Sequence, residues 1–255
     1  MNPLENDLNA FNATSLTDIE TIKLMKRYDT KFIFHRNKLQ SVFDYLRPDY
    51  QILEIDNKRS FRYENLYYDT DDYFFYHQHH NQRVNRYKLR CRKYIESNNC
   101  FCEVKFKNNK KKTIKTRILL DDKNIHHELL KDSREFARKS ILIDNGNIVD
   151  RVGPALWIRF NRITFTNVIK KERLTFDINL TYANKNANSC MINNLIIAEL
   201  KSEHASLNSS FFQYLKYMEI FPTKFSKYCM GIALTKKNIK CNRFKNNLLK
   251  LNKFN

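Results

Sequence analysis

Glycine is scarce in this chain, whose 255 residues contain three, Gly146, Gly153 and Gly231. The P-loop and the dinucleotide-binding fingerprint each need several glycines close together, because the backbone itself must approach the phosphates. The spacing of the three glycines therefore excludes both motifs. If the protein binds phosphate, side-chain cations must supply the contacts.

Long apolar runs and a paired cysteine framework are also absent. No stretch is apolar over the roughly 20 residues that a membrane-spanning helix needs, and the N-terminal sequence lacks the pattern of a signal peptide. The six cysteines are scattered along the chain, which is typical of proteins in a reducing compartment. We therefore expect a cytoplasmic protein without a transmembrane segment.

Acidic residues are outnumbered, with 27 Asp and Glu against 46 Lys and Arg, so the net charge is +19. Such an excess points to an anionic partner: nucleic acid, nucleotide, polyphosphate or an acidic membrane. A hydrophobic content of 42% predicts a globular core. No linker or fixed-period repeat divides the chain. We expect a single domain over residues 1–255, with N-terminal helices (1–25), a barrel with flanking helices (26–235) and a basic tail (236–255).

Positive charge is concentrated between Arg83 and Arg117, where alternation with a period of two predicts three strands. The charged positions are Lys88, Arg90 and Arg92 in the first strand, Glu103, Lys105 and Lys107 in the second, and Lys115 and Arg117 in the third. Successive side chains point to opposite faces of a strand, so each strand presents charge on one face and apolar groups on the other. Like charges on neighbouring strands repel, and we expect an anion to offset them.

The same alternation recurs in at least three further segments, around residues 27–34, 173–180 and 195–202. A barrel with the charged faces inside and helices over the apolar outside explains the pattern. We therefore predict an α+β fold, an antiparallel β-barrel with a charged lumen and surrounding helices. Small barrels are normally filled by side chains, so a charged lumen suggests a function. It suits a linear polyanion held between opposed cations.

Helices are predicted from apolar spacing over residues 37–46, 122–140, 206–219 and 228–240. The histidines at positions 77, 79 and 80 fall in a polar helical stretch, and we expect them on the surface.

Eight short motifs follow one another between Arg27 and Tyr228. They are Arg27-x-Asp29-x-Lys31-Phe32, Tyr67-Tyr68-Asp69-Thr70, Arg83 with Lys88-x-Arg90-x-Arg92, Glu103-Val104-Lys105, Arg162, Arg173-x-Thr175-x-Asp177, Glu199-x-Lys201 and Ser226-Lys227-Tyr228. Each is weak alone, but together and in this order they resemble the polyphosphate polymerase (VTC) domain. That domain is a branch of the CYTH-like triphosphate tunnel metalloenzymes.

The resemblance implies an enzyme that transfers the γ-phosphate of ATP to a growing polyphosphate chain and releases ADP. Arg27 and Asp29 stand where many tunnel phosphatases have two glutamates, which reduces the metal-binding carboxylates and favours a polymerase over a hydrolase. The length leaves room for neither the regulatory domain nor the membrane anchor of eukaryotic relatives. A bacterial-type standalone form is therefore expected.

The resemblance also implies roles for individual residues. The expected catalytic residues are Lys31, Arg90, Arg92, Lys105, Arg162 and Lys201. Phosphate or nucleotide binding is expected for Arg83, Lys88, Lys107, Lys115, Arg117, Arg173, Ser226 and Lys227. The expected cofactor is Mn²⁺ or Mg²⁺, held by Glu199, with Glu103 and Asp177 as further candidates.

Several alternatives stay open at this stage. Glu199 and Lys201 are also compatible with a simple ion pair, and Asp177 with a pair to Arg173 or another cation. The function is alternatively that of a triphosphatase or cyclase of the same tunnel class, or of a non-catalytic polyanion binder. Nucleic acid is disfavoured, because the aromatic residues are predicted mostly on the face opposite the cations, where they cannot stack on bases. The basic tail is a candidate for peripheral membrane contact.

Overall fold

The computed structural model describes residues 3–21, 28–110, 112–186, 188–203 and 206–254. Arg27 of the first predicted motif lies outside these residues. The helices are α1 (Pro3–Asn9), α2 (Leu16–Thr21), α3 (Leu39–Leu46), α4 (Phe74–His80), α5 (Lys131–Ser140), α6 (Ser210–Tyr217), α7 (Lys227–Thr235) and α8 (Lys245–Leu251). The strands are β1 (Ala13–Thr14), β2 (Tyr28–His35), β3 (Gln51–Leu53), β4 (Phe61–Thr70), β5 (Arg86–Tyr94), β6 (Asn99–Lys107), β7 (Thr113–Leu119), β8 (Val152–Asn167), β9 (Glu172–Asn184), β10 (Ser189–Ile192) and β11 (Leu195–Ser202).

All the strands belong to one large sheet whose main path runs β2-β11-β9-β8-β4-β5-β6-β7. Each neighbouring pair on this path is antiparallel. β10 extends the sheet beside β9, β3 pairs with β8, and the short β1 is parallel to β3. Among the described residues no ladder joins the edge strands β2 and β7. The predicted α+β fold with a large antiparallel sheet is therefore confirmed, whereas the barrel is not closed by hydrogen bonds.

The outer face of the sheet is apolar, as the alternation predicts. On one side, Phe32 and Phe34 of β2 and Phe176 of β9 pack against α3 and α6 in one cluster. On the other side, Leu89 of β5 and Val104 of β6 lie in a second cluster covered by α5. Burying each such side chain contributes about 1.5–3 kcal/mol. These contacts hold the helices outside the sheet and leave the charged positions facing inward.

One half of the inner face is filled by α7, which packs Tyr228 and Ile232 against apolar residues of β8, β9 and β11. The helix approaches closely at Gly231, where a Cβ atom would overlap the ring of Tyr182 and a methyl group of Leu156. A residue without a side chain is therefore required there. The other half of the inner face is open.

The helices differ from their predicted bounds. The segment predicted as helix over residues 122–140 is helical only in α5, because Asp122 accepts a hydrogen bond from the Asn124 backbone at 2.9 Å and pairs with His126. Such local side-chain bonds compete with helix formation. His80 of α4 is fully buried, so its expected surface position is wrong. In the basic tail, Leu251 of α8 is buried in the core. None of the described helices has the length and apolarity that crossing a membrane requires.

Candidate active site

The open half of the inner face is a cavity of about 920 Å³. Its walls come from β2, β4–β9 and β11, and its floor from the residues that begin α7. Among the residues that the structure describes, twelve cations line it: Lys31, Lys58, Lys88, Arg90, Arg92, Lys105, Lys115, Arg117, Arg162, Arg173, Lys201 and Lys227. Four carboxylates of the same described part also line it: Asp29, Asp56, Glu96 and Glu199. Much of the positive charge that the alternation predicts on one face of the strands thus lines this one cavity.

Most of the predicted site residues meet in this cavity, and four do not. Arg83 is exposed in the turn before β5, and Lys107 lies at the end of β6, beyond the cavity wall. Glu103 and Asp177 are buried beneath the cations. Conversely, Lys58 lines the cavity without having been predicted. It lies in a turn, where no alternation marks the direction of its side chain.

Glu103 is a completely buried carboxylate bound by two cations from neighbouring strands. The guanidinium of Arg90 donates to it at 2.5 and 2.7 Å, and Lys115 forms an ion pair with it. Burial alone would raise the pKa of Glu103, but Arg90, Arg92 and Lys115 outweigh burial and hold it well below its ordinary value. Glu103 is therefore ionised, and both of its oxygens pair with cations, which it holds in place.

Asp177 has the same arrangement on the opposite wall. Arg162 donates two hydrogen bonds to it, at 2.6 and 2.8 Å, and Lys227 at the start of α7 pairs with it. Burial opposes ionisation, but Arg162 and Lys227 lower the pKa of Asp177 to about 2. Of the readings left open from the sequence, an ion pair with neighbouring cations is the observed one.

Glu199 is the one predicted metal-binding carboxylate that lines the cavity. Lys31, directly opposite it on β2, forms an ion pair with it, and Lys201 lies 3.4 Å away on the same strand. Burial lowers the pKa of Lys201 to about 8, with Glu199 opposing the shift and Arg173 adding to it. In the described parts of the chain, no three His, Cys, Asp or Glu residues form a group suited to a metal ion.

Lys105 is the centre of a lysine row (Lys88, Lys105 and Lys115), whose members lie directly opposite one another on three adjacent strands. Lys88 donates to Ser226 at 2.9 Å and Lys115 pairs with Glu103. Within the described residues the Lys105 ammonium has neither a hydrogen bond nor an ion pair. Arg90, followed by burial, lowers the pKa of Lys105 well below its ordinary value. An unpartnered ammonium among like charges is a strong indication of an anion-binding position.

Aromatic rings support the guanidinium groups. Arg92 lies 5.2 Å from the ring centre of Tyr63 and donates to Asn65 at 2.7 Å, and Arg162 lies over Tyr63 and Phe160. These rings line the cavity beside the cations, so they are exceptions to the expectation that aromatic residues lie mostly on the opposite face. Their faces are nevertheless covered, because Tyr63 also stacks on Phe160. Covered rings cannot serve as stacking platforms for bases.

The position of α7 depends on a buried carboxylate, Asp69, in the predicted Tyr-Tyr-Asp-Thr turn. Asp69 accepts hydrogen bonds from the backbone of Phe75 at 2.8 Å and Tyr76 at 2.9 Å and from the Tyr228 hydroxyl. Burial raises the pKa of Asp69 to about 6, against these three hydrogen bonds and a fourth from the Thr70 backbone at 2.9 Å. Because Tyr228 directly follows Lys227, this bond holds the cation-bearing start of α7 in the cavity floor. Tyr228 therefore positions Lys227.

Two solved structures share this fold. A putative adenylyl cyclase from Hippeastrum, described as having a dominant triphosphatase activity, aligns with a TM-score of 0.53 and 13% identity over 84% of this chain and 98% of its own. A putative adenylate cyclase from Bacillus halodurans aligns with a TM-score of 0.50 and 14% identity over 85% of this chain and 95% of its own. The chain thus has the fold of these two proteins, as the resemblance to triphosphate tunnel proteins predicted.

A match to a family model is more specific than the likeness in fold. Residues 26–236 match the VTC domain, and the chain belongs to that family. No curated protein matches the chain. The sequence resemblance is therefore confirmed at the level of the family.

Proposed function

We propose that this protein is an ATP-dependent polyphosphate polymerase, which transfers the γ-phosphate of ATP to a linear polyphosphate chain held in the cavity. The observation that carries the proposal is the lysine row with its unpartnered Lys105, inside a cavity where cations outnumber carboxylates. Membership of the VTC family supports the same activity. A linear phosphate chain offers a negative charge at each step along its length, which matches cations repeated along and across strands.

Phosphoryl transfer requires mainly positioning and stabilisation of charge on the transferred group. Arg90 is held by Glu103 and by the Tyr67 hydroxyl at 2.8 Å, and Arg92 by Asn65. Both guanidiniums are therefore oriented before a ligand arrives, as bidentate phosphate binding favours. Lys105 supplies a further positive charge, whose ammonium has no hydrogen bond or ion pair with any of the described residues. In this proposal these three residues hold the reacting phosphates.

A divalent cation would neutralise and bridge phosphate oxygens when bound. Mg²⁺ is commonly held by one or two carboxylates together with substrate phosphates. Of the three predicted carboxylates, Glu199 fits such a shared site best, because it lines the cavity, whereas Glu103 and Asp177 are buried beneath their cations. A metal ion bound there would compete with Lys31 and Lys201, which pair with Glu199. We therefore assign Mn²⁺ or Mg²⁺ binding first to Glu199, with the substrate completing the site.

We further infer one domain in the cytoplasm. Leu8 of α1 and Leu251 of α8 pack into core clusters that also contain residues of the sheet, which supports a single unit. All six cysteines are free thiols, which supports a reducing compartment.

A triphosphatase of the same class is the second candidate, since the Hippeastrum protein of similar fold is described as having that activity. Incubating the purified protein with ATP and Mn²⁺ and resolving the products separates the candidates. Long-chain polyphosphate with stoichiometric ADP is the expected result. Free phosphate without polymer would replace the proposal by the triphosphatase, and absence of turnover would leave a polyanion-binding protein.

A further inference from the structure

Tyr67 is a buried tyrosine in the wall of the cavity, close to the floor that α7 forms. It belongs to β4 and lies directly opposite Arg90 of β5. Its ring stacks on that of Tyr228, with 4.9 Å between the ring centres. The strand pairing and the stacked neighbour together fix the ring. The Tyr67 hydroxyl is therefore held in one position beside Arg90.

The hydrogen bonding of this hydroxyl is incomplete. Arg90 donates to its oxygen at 2.8 Å, and a guanidinium can only donate. The phenol hydrogen still needs an acceptor, and among the described residues none receives it. The hydroxyl of the stacked Tyr228, in contrast, donates to Asp69. Because buried donors are normally paired, the Tyr67 hydrogen indicates an acceptor in the cavity itself: water when the cavity is empty, or an oxygen of a bound anion.

The charges around Tyr67 favour an anionic acceptor. Burial alone would raise the pKa of Tyr67, but Arg90, Lys88 and Arg92 outweigh burial and lower it. A more acidic phenol donates a stronger hydrogen bond, and O–H groups that donate to charged oxygens make short, strong contacts. An anion bound at this position also favours the protonated phenol, which is the form that donates. The surroundings of Tyr67 thus suit a donor to phosphate.

We propose that Tyr67 is a phosphate-binding residue, whose hydroxyl donates to an oxygen of the same phosphate group that Arg90 binds; the identity of the ligand rests on the proposed function. The two side chains are already joined by a hydrogen bond, so a phosphate in reach of the guanidinium is also in reach of the phenol. Arg90 retains N–H groups that neither Glu103 nor Tyr67 receives. Unlike the lysines of the cavity, Tyr67 contributes a contact without contributing a charge.

The test measures binding of tripolyphosphate by calorimetry, without ATP. Tyr67→Phe keeps the ring and its stacking on Tyr228 but removes the hydroxyl. It should bind tripolyphosphate about tenfold or more weakly, because hydrogen bonds to charged groups are among the stronger ones in proteins. Unchanged affinity would overturn the contact.

The matched control is Tyr68→Phe. Tyr68 is the next residue in β4, lies in the outer cluster covered by α5, and donates to the His126 backbone oxygen at 2.6 Å. Its affinity for tripolyphosphate should equal that of the wild type. An equal loss in Tyr67→Phe and in the control would assign both effects to weakened packing and would overturn the contact.

The salt dependence of binding gives a second measurement. Salt screens the attraction between charges, and Tyr67→Phe removes no charge. Its affinity should therefore decline with salt as steeply as that of the wild type, whereas Lys88→Ala should show a shallower decline. A shallower decline in Tyr67→Phe would show that a cation has been displaced, and it would overturn the direct contact.

A positioning role through Arg90 is separated from a contact by a double variant. If Tyr67 acted only by holding Arg90, its hydroxyl would have no effect once Arg90 is removed. We expect Arg90→Ala with Tyr67→Phe to bind tripolyphosphate about fivefold or more weakly than Arg90→Ala alone. Equal affinities of these two variants would overturn the contact and leave Tyr67 a positioning residue.

These binding measurements do not need turnover, so they can fail separately from the proposed function. If tripolyphosphate binding depends on Tyr67 as expected but the protein makes no polymer from ATP, the contact stands and the polymerase fails. If the protein makes polymer while Tyr67→Phe binds tripolyphosphate as the wild type does, the polymerase stands and the contact fails.

Discussion

The two halves of the inner face carry different side chains, apolar in one half and charged in the other, although the same strands form both. β11 changes along its length from Leu195 and Ile197 to Glu199 and Lys201, and β8 changes from apolar residues to Arg162. Where the strands are apolar, α7 covers them. Where they are charged, the face stays open, because an apolar helix would strip water from cations without replacing it. The cavity therefore follows from side-chain charge rather than from the course of the sheet.

Removing cations from the open half should have the largest effect. Arg90→Ala with Arg92→Ala should reduce polymer synthesis about a thousandfold or more, since each charge-assisted contact contributes about 1.5–3 kcal/mol. The fold should be retained, because Glu103 keeps Lys115 as its partner. Product formation from ATP measures the effect, and circular dichroism checks the fold. Unchanged synthesis would refute the assignment of both arginines.

The next largest effect is expected from removing Asp177, where the open and the packed halves meet. Asp177 joins Arg162 of the cavity wall to Lys227 of α7, so Asp177→Ala leaves two buried cations without their carboxylate. Loss of one partner of a buried pair costs about 3–5 kcal/mol. Denaturant unfolding should show this loss near neutral pH.

The pH dependence gives the sign of the Asp177 contribution. Its pKa is lowered to about 2 in the folded state, so its stabilisation is present above the ordinary pKa of an aspartate and is lost as the pH falls towards 2. The stability difference between the wild type and Asp177→Ala should therefore become smaller in acid. A difference of the same size at low pH as at neutral pH would contradict the assignment of Asp177 as an ionised partner.

Filling the space at Gly231 should perturb the packed half more mildly. Overpacking costs about 1–3 kcal/mol, and the better helix propensity of alanine returns about 1 kcal/mol. Gly231→Ala should therefore destabilise the protein by up to about 2 kcal/mol in thermal or denaturant unfolding. Gly153→Ala is the control, because a Cβ atom there meets nothing within 4 Å. Equal effects at both positions would show that the close approach of α7 is unimportant.

The smallest expected effect is a pH dependence of binding in the open half. The pKa of Lys201 is lowered to about 8, and a bound anion stabilises the protonated form and raises it. Binding of tripolyphosphate should therefore take up protons near pH 8 and weaken a few-fold as the pH rises from 7 to 9. Calorimetry in buffers of different ionisation enthalpy measures the uptake. Lys201→Gln should reduce it, and an unchanged uptake would assign it to other groups.

The alternation in the sequence predicts which face each residue occupies, but not how deep it lies. Arg90 and Arg92 could be placed beside Lys105 because a strand repeats every two residues. Glu103 shares that period, yet its burial beneath the cations depends on the lengths and partners of side chains from three strands. The same limit applies to Asp177, whose partner Lys227 is distant in sequence.

The sequence also does not predict where α7 packs. Its apolar residues predict a helix, but nothing local indicates that the helix enters the sheet rather than covering the outside. Gly231 is the one signal that could have shown it, since a glycine inside a helix often marks a close approach. Lys58, in a turn, offers no periodic signal at all.

If the open, charged half of the inner face holds a linear phosphate chain, a crystal structure with tripolyphosphate should show phosphate groups inside the cavity. We expect them in contact with Lys105 and with Arg90 or Arg92. Phosphate bound only on the outer surface or along the basic tail, with Lys105 still unpartnered, would contradict it.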